Sequence, residues 1–322
     1  MMIRGKSAVL LCCTFFLPVM FSGCGPKQSA TGGSNQVTGS VKIDGSSTVY
    51  PITEAVAEEL RAVHPGIQVT VGISGTGGGM KKFTAGEIDI CDASRAIKKK
   101  EADKCAAQGV EFVELEVAYD GLAVVTNPEN DWCDCLTVEQ LRELWRPESA
   151  VKKWSDLNPT WPPEEIRLYG PGTDSGTFDY FTKAIVGEEK ASRADYTASE
   201  DDNVLVTGVM NSRYALGYFG YAYYSENKDK LKLLAVDGGD GCVKPSMETV
   251  RGLTYRPLSR PLYIYVRSAS LKEDAVRNFV DFYLKSADQL AVEVGYVPVS
   301  EQASTKNQQA LAEALSKTEA TP

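Results

Sequence analysis

The chain has 322 residues, of which 43% are hydrophobic and 24% are charged, and its formal net charge is -9. This acidic balance disfavours a polyanion such as DNA, so we expect no nucleic-acid partner. The single histidine, His64, leaves little material for a Ser/His/Asp catalytic arrangement, and His and Asp residues are not grouped at metal-ligand spacing. The sequence therefore predicts a protein that is not an enzyme and that uses neither a metal nor a cofactor.

Residues 1–23 are typical of a signal peptide, because Arg4 and Lys6 precede a short apolar stretch. The segment ends in FSGC, which resembles a bacterial lipobox in which Cys24 is lipidated; an ordinary cleaved signal is the alternative. Residues 24–40 are rich in Gly, Ser and Thr and predict a flexible tether. We therefore expect a folded body in the periplasm or at the cell surface, anchored to a membrane by lipid.

From Val41 onward, short apolar strands alternate with amphipathic helices. Strands are predicted at 41–45, 67–73, 87–94, 110–126 and 261–267, a strand, turn and helix at 165–187, and an aromatic strand or helical turn at 215–224. Helices are predicted to follow residues 46–51, to end near Ala85, and to cover 98–108, 136–145, 202–211, 271–287 and 306–317. This alternation favours an α/β fold with a mostly parallel sheet covered by helices, and its length suits two lobes.

Three turns place small hydroxyl residues and glycines directly before a predicted helix: DGSSTVYP (44–51), SGTGGGMKK (74–82) and GPGTDSGTF (170–178). A helix N-terminus presents unpaired N–H groups and a partial positive charge, and open α/β sheets bind ligands at the carboxyl ends of their strands. Ordinary helix capping explains any one turn alone, but three together predict an oxyanion site between two lobes.

The second turn contains four glycines, at positions 75, 77, 78 and 79, yet it matches neither the P-loop nor the dinucleotide pattern. We expect these glycines to form a loop with positive φ that lets the backbone approach an anion. A valine at Gly77 or Gly78 is then expected to weaken anion binding.

The segments DGSSTVYPI, SGTGGGMKKF, GEIDICDASR and DSGTF, in this order and spacing, resemble the PstS-type phosphate-binding proteins of bacterial phosphate ABC transporters. The resemblance extends from about Val41 to about Ser300 and includes RPLYIYV and GYVPVS. It implies a two-lobed periplasmic binding protein fold of type II, with mixed, mostly parallel sheets and the ligand in the interlobe cleft. Lobe 1 would then comprise residues 41–119 and 255–322 and lobe 2 residues 120–254, with crossovers near 118–121 and 254–261.

Carried over residue by residue, the resemblance implies phosphate contacts from Ser47, Thr48, Val49, Thr76, Gly77, Ser94, Arg95, Ser175, Gly176 and Thr177. Some family members have an Asp where this chain has Arg95, and an Arg where it has Pro171. We therefore expect Arg95 to grip two phosphate oxygens with its guanidinium. The alternative is a surface arginine that pairs with a carboxylate.

Rejection of sulfate would need a buried acceptor for the proton that phosphate retains near neutral pH. Asp174 has the best sequence position for this role, although helix capping explains it equally well. Asp44, Asp92 and Asp202 are the other candidates.

The resemblance implies a monomer that captures inorganic phosphate and delivers it to an ABC transporter permease. A binding protein for sulfate or molybdate is the alternative, as is a phosphatase with Ser175 as its nucleophile or a sensor or adhesin on the same fold. Five cysteines follow Cys24, and an exported protein can keep disulfides. From lobe membership we expect Cys91 to pair with Cys105, and Cys242 with Cys133 or Cys135.

Overall fold

The structure, a computed structural model, describes residues 37–320, with side chains through residue 317. The predicted signal peptide, the lipidation site Cys24 and most of the predicted tether lie outside the described residues. The strands are β1 (Gly39–Gly45), β2 (Ile67–Ile73), β3 (Ile90–Ala93), β4 (Phe112–Thr126), β5 (Cys135–Thr137), β6 (Arg167–Pro171), β7 (Thr197–Ser199), β8 (Ala215–Gly220), β9 (Lys232–Leu233), β10 (Ala235–Asp237), β11 (Cys242–Val243) and β12 (Ser259–Arg267).

The α-helices are α1 (Tyr50–Val63), α2 (Gly75–Thr84), α3 (Lys99–Ala107), α4 (Val138–Trp145), α5 (Trp154–Leu157), α6 (Gly176–Phe181), α7 (Asp202–Met210), α8 (Tyr221–Glu226), α9 (Met247–Arg251), α10 (Asp274–Glu293) and α11 (Glu301–Ala320). A π-helix, Thr182–Val186, continues α6, and a 3-10 helix, Ser268–Lys272, precedes α10. None of the helices within residues 37–320 combines the length and the apolar character that a membrane crossing requires.

A large mixed sheet has the strand order β2-β1-β3-β12-β4-β8-β6-β7, with β9 added to β4. Its two ends are parallel, because β1 pairs with β2 and β3, and β6 pairs with β7 and β8. Its middle is antiparallel, where β12 pairs with β3 and β4, and β4 with β8 and β9. The predicted parallel pairing thus occurs at the two ends, while the strands that join the lobes run antiparallel.

Strand β4 joins the two lobes. It pairs with β12 as far as Gly121 and with β8 from Leu122 onward, so the chain passes from one half of the sheet to the other at this point. Here lobe 1 means the half built on β1, β2, β3, β12 and the first part of β4. Lobe 2 means the half built on the rest of β4 and on β6 to β9, together with the small sheet β11-β10-β5.

The cores of the two lobes differ in chemistry. Lobe 1 packs the aliphatic faces of its strands against α1, α10 and α11, with Phe279 and Tyr283 among the buried aromatic residues. Lobe 2 is rich in aromatic residues, and the rings of Phe181 and Tyr218 stack with their centroids 3.6 Å apart. The main buried rings of lobe 2 are Trp145, Trp154, Tyr180, Phe181, Tyr218 and Tyr255.

Two elements differ from the sequence predictions near the N-terminus of the described chain. Strand β1 begins at Gly39 and not at Val41, because the Gly39 amide donates to the Gly66 carbonyl at 3.2 Å and extends the pairing with β2. The glycine run forms the first turns of α2, and not a loop. Positive φ occurs at Gly75, at 71°, and not at Gly77 or Gly78, so the expected strain at those two positions is wrong.

The disulfide prediction is half right. Cys135 pairs with Cys242 within lobe 2, which confirms one of the two pairings left open. Cys91 and Cys105 are both buried and free, so their predicted bond is wrong, and Cys133 is free as well. Burial raises the pKa of the Cys91 and Cys105 thiols, and raises that of Cys133 to about 12. The free thiols are therefore poor nucleophiles.

Candidate functional site

The first predicted turn lies at the end of β1 and starts α1. The Ser46 amide donates to the Asp92 carbonyl at 3.0 Å, and the Thr48 amide donates to the Ser46 hydroxyl at 3.2 Å. Thr48 is 5% exposed and Val49 is fully buried, while Ser47 is half-buried. Gly45 is required here, because it has φ of 151° and a Cβ would lie 2.1 Å from the Asp92 carbonyl oxygen. The backbone of β3 thus holds this turn.

The second turn and the end of β3 meet through two hydroxyls of lobe 1. The Thr76 and Ser94 hydroxyl oxygens lie 3.2 Å apart, and the Ser94 amide donates to the Thr76 hydroxyl at 3.1 Å. Gly77 is exposed in the first turn of α2, and a Cβ there would have no atom within 4 Å. Gly79 is closely packed, because its Cβ would lie 2.7 Å from the Gly45 Cα. Three predicted site residues, Thr76, Gly77 and Ser94, are therefore neighbours.

The third turn belongs to lobe 2 and starts α6. Ser175 is the N-cap of α6, and its hydroxyl accepts from the Thr177 amide at 3.2 Å. The Asp174 side chain is exposed, and the Asp174 amide donates to the Glu200 carboxylate at 3.3 Å. Asp174 precedes the N-cap, so the capping role considered for it belongs to Ser175.

The first and third turns approach each other across the lobes. A Cβ added to Gly176 would lie 3.0 Å from the Thr48 hydroxyl oxygen and 3.3 Å from the Thr48 amide nitrogen. Ser47, Thr48 and Val49 therefore lie close to the Ser175–Thr177 turn, as an interlobe site requires. The contact brings hydroxyls and backbone N–H groups from two helix starts into one region.

Arg95 is paired with a carboxylate of the same lobe. Its two terminal nitrogens donate to the two carboxylate oxygens of Glu101, at 2.9 and 2.8 Å. Glu101 is the third residue of α3, and it also accepts from the Lys98 amide, so its carboxylate is held beside Arg95. The guanidinium that the sequence predicts to grip a ligand is thus in a bidentate ion pair with a carboxylate, as the alternative prediction for this residue has it. A phosphate contact from Arg95 stays a prediction, and it requires this pair to open.

The four candidate carboxylates have different environments. Asp44 is buried and paired with Lys82 and the Ser74 hydroxyl, and Asp174 is exposed. Burial raises the pKa of Asp92 to about 8, helped by the negative charge of Asp44. Burial likewise raises the pKa of Asp202 to about 6, helped by Asp201 and Glu200.

Asp92 is the most strongly perturbed of these carboxyls. Its side chain is fully buried, and neither carboxyl oxygen has a hydrogen-bond partner among residues 37–317. An uncompensated buried carboxylate is costly, so this group retains its proton near neutral pH.

Sequence reasoning missed two side chains that reach the first turn. The Arg260 guanidinium donates to the Thr48 hydroxyl oxygen at 2.8 Å, and the Tyr296 hydroxyl donates to the Thr48 carbonyl at 2.7 Å. Both lie in the segments RPLYIYV and GYVPVS that carry the family resemblance. The sequence does contain one indication of Arg260, because this residue lies in the predicted second crossover. A cation at that position lies at the junction of the lobes.

The part of the chain that the structure describes contains no group of three His, Cys, Asp or Glu side chains arranged to hold a metal ion. What it does contain is two lobes joined by crossover strands, with hydroxyls and helix starts meeting between them. That arrangement defines the class of two-lobed substrate-binding proteins, which close around a ligand at a hinge. In agreement, the family model described as "PBP superfamily domain" matches residues 30–287.

Comparison with named proteins shows which group within this superfamily the chain resembles. Protein SphX of Synechocystis sp. is 49% identical over 285 residues, which cover 88% of this chain and 82% of that protein. The phosphate-binding protein PstS of Staphylococcus saprophyticus is 37% identical over 303 residues, 93% of this chain and 92% of that protein. A solved structure of a possible phosphate binding protein from Planctomyces limnophilus is 49% identical, with a TM-score of 0.84 over 87% of this chain and 99% of that chain. The chain belongs to the PBP superfamily, among its PstS-type proteins.

Proposed function

We propose that this protein captures inorganic phosphate outside the cytoplasm and delivers it to the permease of an ABC transporter. The observation that carries the proposal is the approach of Gly176 in lobe 2 to Thr48 in lobe 1, which brings two helix starts together. Small oxyanions suit such sites, because backbone N–H groups and hydroxyls can surround them without a compensating lysine. A relative that matches most of the chain is named phosphate-binding protein PstS, and a similar solved structure is described as a possible phosphate binding protein.

The proposed phosphate contacts come from both lobes. Lobe 1 supplies Ser47, Thr48, Val49, Thr76, Gly77, Ser94 and Arg95, and lobe 2 supplies Asp174, Ser175, Gly176 and Thr177. The hydroxyls and amides donate to phosphate oxygens, and a carboxyl group accepts the ligand's proton. Asp174 keeps this acceptor role as a proposal; its carboxylate is exposed, so the role requires that ligand binding bury it.

We further propose that the protein acts as a monomer without enzymatic activity or a cofactor. A lipid on Cys24 would anchor it in the periplasm or at the cell surface, with the residues up to β1 as its tether. Substitution of Cys24 by Ser tests the anchor: the variant is expected to lose its membrane fraction. A Cys24→Ser variant that still fractionates with membranes after signal removal would exclude lipidation at this residue.

Gly176→Val tests the interlobe site. A valine side chain would push against the Thr48 turn and hold the lobes apart, so phosphate affinity is expected to fall by about tenfold or more. Gly220→Val is the matched control, because the nearest atom to a Cβ there is 3.6 Å away, in ordinary contact. Calorimetry with phosphate measures the affinity of both variants, and a native circular dichroism spectrum shows that each is folded. Wild-type phosphate affinity in Gly176→Val would show that the ligand does not lie between these turns.

A phosphatase assay tests the binding-protein proposal against hydrolysis. We expect the mature protein to release no phosphate from p-nitrophenyl phosphate above the rate of a buffer blank. Turnover that disappears in Ser175→Ala would instead assign a nucleophile to the third turn.

A further inference from the structure

Arg260 forms a buried ion pair between the two strands that join the lobes. It lies in β12 opposite Asp120 of β4, and its Nε and Nη2 donate to one Asp120 carboxylate oxygen at 3.1 and 2.9 Å. The side chains are 17% and 3% exposed. Burial raises the pKa of Asp120, and the positive charge of Arg260 opposes that rise. The carboxylate therefore holds the guanidinium in a fixed orientation at the junction.

The same guanidinium contacts both lobes. Its Nη2 reaches the Thr48 hydroxyl in lobe 1, and its carbon lies 3.6 Å from the centroid of the Tyr180 ring in lobe 2. Tyr180 lies in α6 one helical turn after Gly176, and its hydroxyl donates to the Pro257 carbonyl in the crossover segment. Arg260 therefore sits where the first and third turns approach each other.

Two features of this arrangement point to a ligand. Arg260 donates to the Thr48 hydroxyl oxygen, so the Thr48 hydroxyl hydrogen is free to donate to another acceptor. The bonds of the guanidinium to Asp120 and Thr48 come from Nε and Nη2, so Nη1 takes no part in these two contacts. A buried guanidinium is expected to use its remaining N–H groups, and a tetrahedral oxyanion would accept from Nη1 and from the Thr48 hydroxyl together.

We propose that Arg260, held by Asp120, is a guanidinium ligand of the oxyanion bound between the lobes. This inference rests on the proposed function and deepens it. It adds to the site a cation that lies in the crossover and not in the turns of either lobe. It also explains how the site holds an arginine although position 171 is Pro and Arg95 is paired with Glu101. Since Arg260 contacts Thr48 and Tyr180 at once, an anion bound to it favours the closed arrangement of the lobes.

The test is calorimetry with inorganic phosphate on Arg260→Lys. Lysine keeps the charge but cannot bond Asp120, Thr48 and an anion with one planar group, so affinity is expected to fall at least about tenfold. Arg193→Lys is the matched control, because Arg193 is a buried arginine whose side chain bonds Asp195, Leu144 and Val151 and none of the residues of the three turns. That variant is expected to bind phosphate within about threefold of wild type.

A second variant covers the case in which Arg260→Lys does not fold. Arg260→Gln combined with Asp120→Asn removes both buried charges and leaves two neutral groups, so the fold is expected to survive while phosphate affinity falls. Phosphate binding as in the wild type by either folded variant overturns the assignment of Arg260. Loss of affinity in Arg95→Lys together with unchanged affinity in Arg260→Lys also overturns it, in favour of Arg95. Failure of the wild-type protein to bind phosphate would instead overturn the proposed function itself.

Discussion

The first turn of the candidate site, in lobe 1, is more deeply buried than the third turn, in lobe 2. In lobe 1 the Ser46–Val49 turn is held by close backbone packing, since Gly45 lies against the Asp92 carbonyl and Gly79 against Gly45. Two buried or half-buried side chains, Arg260 and Tyr296, also donate to Thr48. In lobe 2 the turn before α6 is held by the Ser175 hydroxyl, by the exposed Glu200 carboxylate and by the bond from the Ser175 amide to the Gly172 carbonyl. Thr48 is buried, whereas Asp174 is exposed. Lobe 1 thus resembles a fixed half of the site, and the lobe 2 turn has fewer constraints.

The hydrophobic cores of the two lobes also differ. Lobe 1 is stabilised mainly by aliphatic packing and carries two free buried thiols, Cys91 and Cys105. Lobe 2 is stabilised by packed aromatic rings and by the bond between Cys135 and Cys242. The comparison shows that lobe 2 gains stability from a disulfide and from aromatic packing, and that two of its buried rings, Tyr180 and Phe181, belong to α6 itself. Variants of each lobe can test these contacts one at a time.

The largest effect is expected from the disulfide of lobe 2. Replacing both Cys135 and Cys242 by Ser should lower the free energy of unfolding by about 2–5 kcal/mol, because the bond closes a loop with a sequence separation of 107. Denaturant titration with and without a reductant measures this loss of stability. The reductant should destabilise the wild type and leave the double variant unchanged, and sensitivity of the double variant would place the reducible bond elsewhere.

Gly79→Ala tests the backbone contacts of lobe 1. Its methyl group would lie 2.7 Å from the Gly45 Cα and 2.8 Å from the Asp44 carbonyl oxygen, so we expect a loss of about 1–3 kcal/mol in stability. Gly77→Ala, in the same helix but with no atom within 4 Å, should instead gain about 0.5–1 kcal/mol. Equal stabilities for the two variants in thermal melts would contradict the close packing of α2 on β1.

Asp92→Asn tests the buried carboxyl of lobe 1 through pH. The folded-state pKa of about 8 lies above the ordinary 3.8, so protonation stabilises the fold fully below about pH 4, and this stabilisation is lost as pH rises through 8. Between these values the wild type should lose up to about 1.4 kcal/mol per pH unit relative to the variant. Unfolding titrations of both proteins from pH 4 to 9 measure the difference, and parallel curves would show that Asp92 is ionised in the fold.

The smallest effect is expected at the lobe 2 turn. Glu200 is exposed and accepts from the Asp174 amide at 3.3 Å, so Glu200→Gln should change stability by less than about 0.5 kcal/mol. A loss of more than 1 kcal/mol in the same denaturant titration would mean that this turn is as firmly held as the lobe 1 turn.

Much of the fold could be predicted from local patterns, because a short segment of sequence is enough to show where a helix starts and how apolar residues are spaced. The three turns were found in this way, and the structure brings the first and third together. The partner of Arg95 could not be predicted, since it depends on where α3 places Glu101. The role of Arg260 could not be predicted for a different reason: its contacts with Thr48, Asp120 and Tyr180 join residues far apart in sequence. Lobe membership alone could not tell Cys133 from Cys135, because both lie in lobe 2.

Phosphate binding between the lobes is the property on which the proposed function depends. Calorimetry of the mature protein, freed of bound ligand, with phosphate, sulfate and molybdate at neutral pH tests it most directly. We expect saturable binding of phosphate with one site per chain, and much weaker binding of sulfate and molybdate. Binding of sulfate or molybdate in preference to phosphate, or no binding of any of the three, would contradict it.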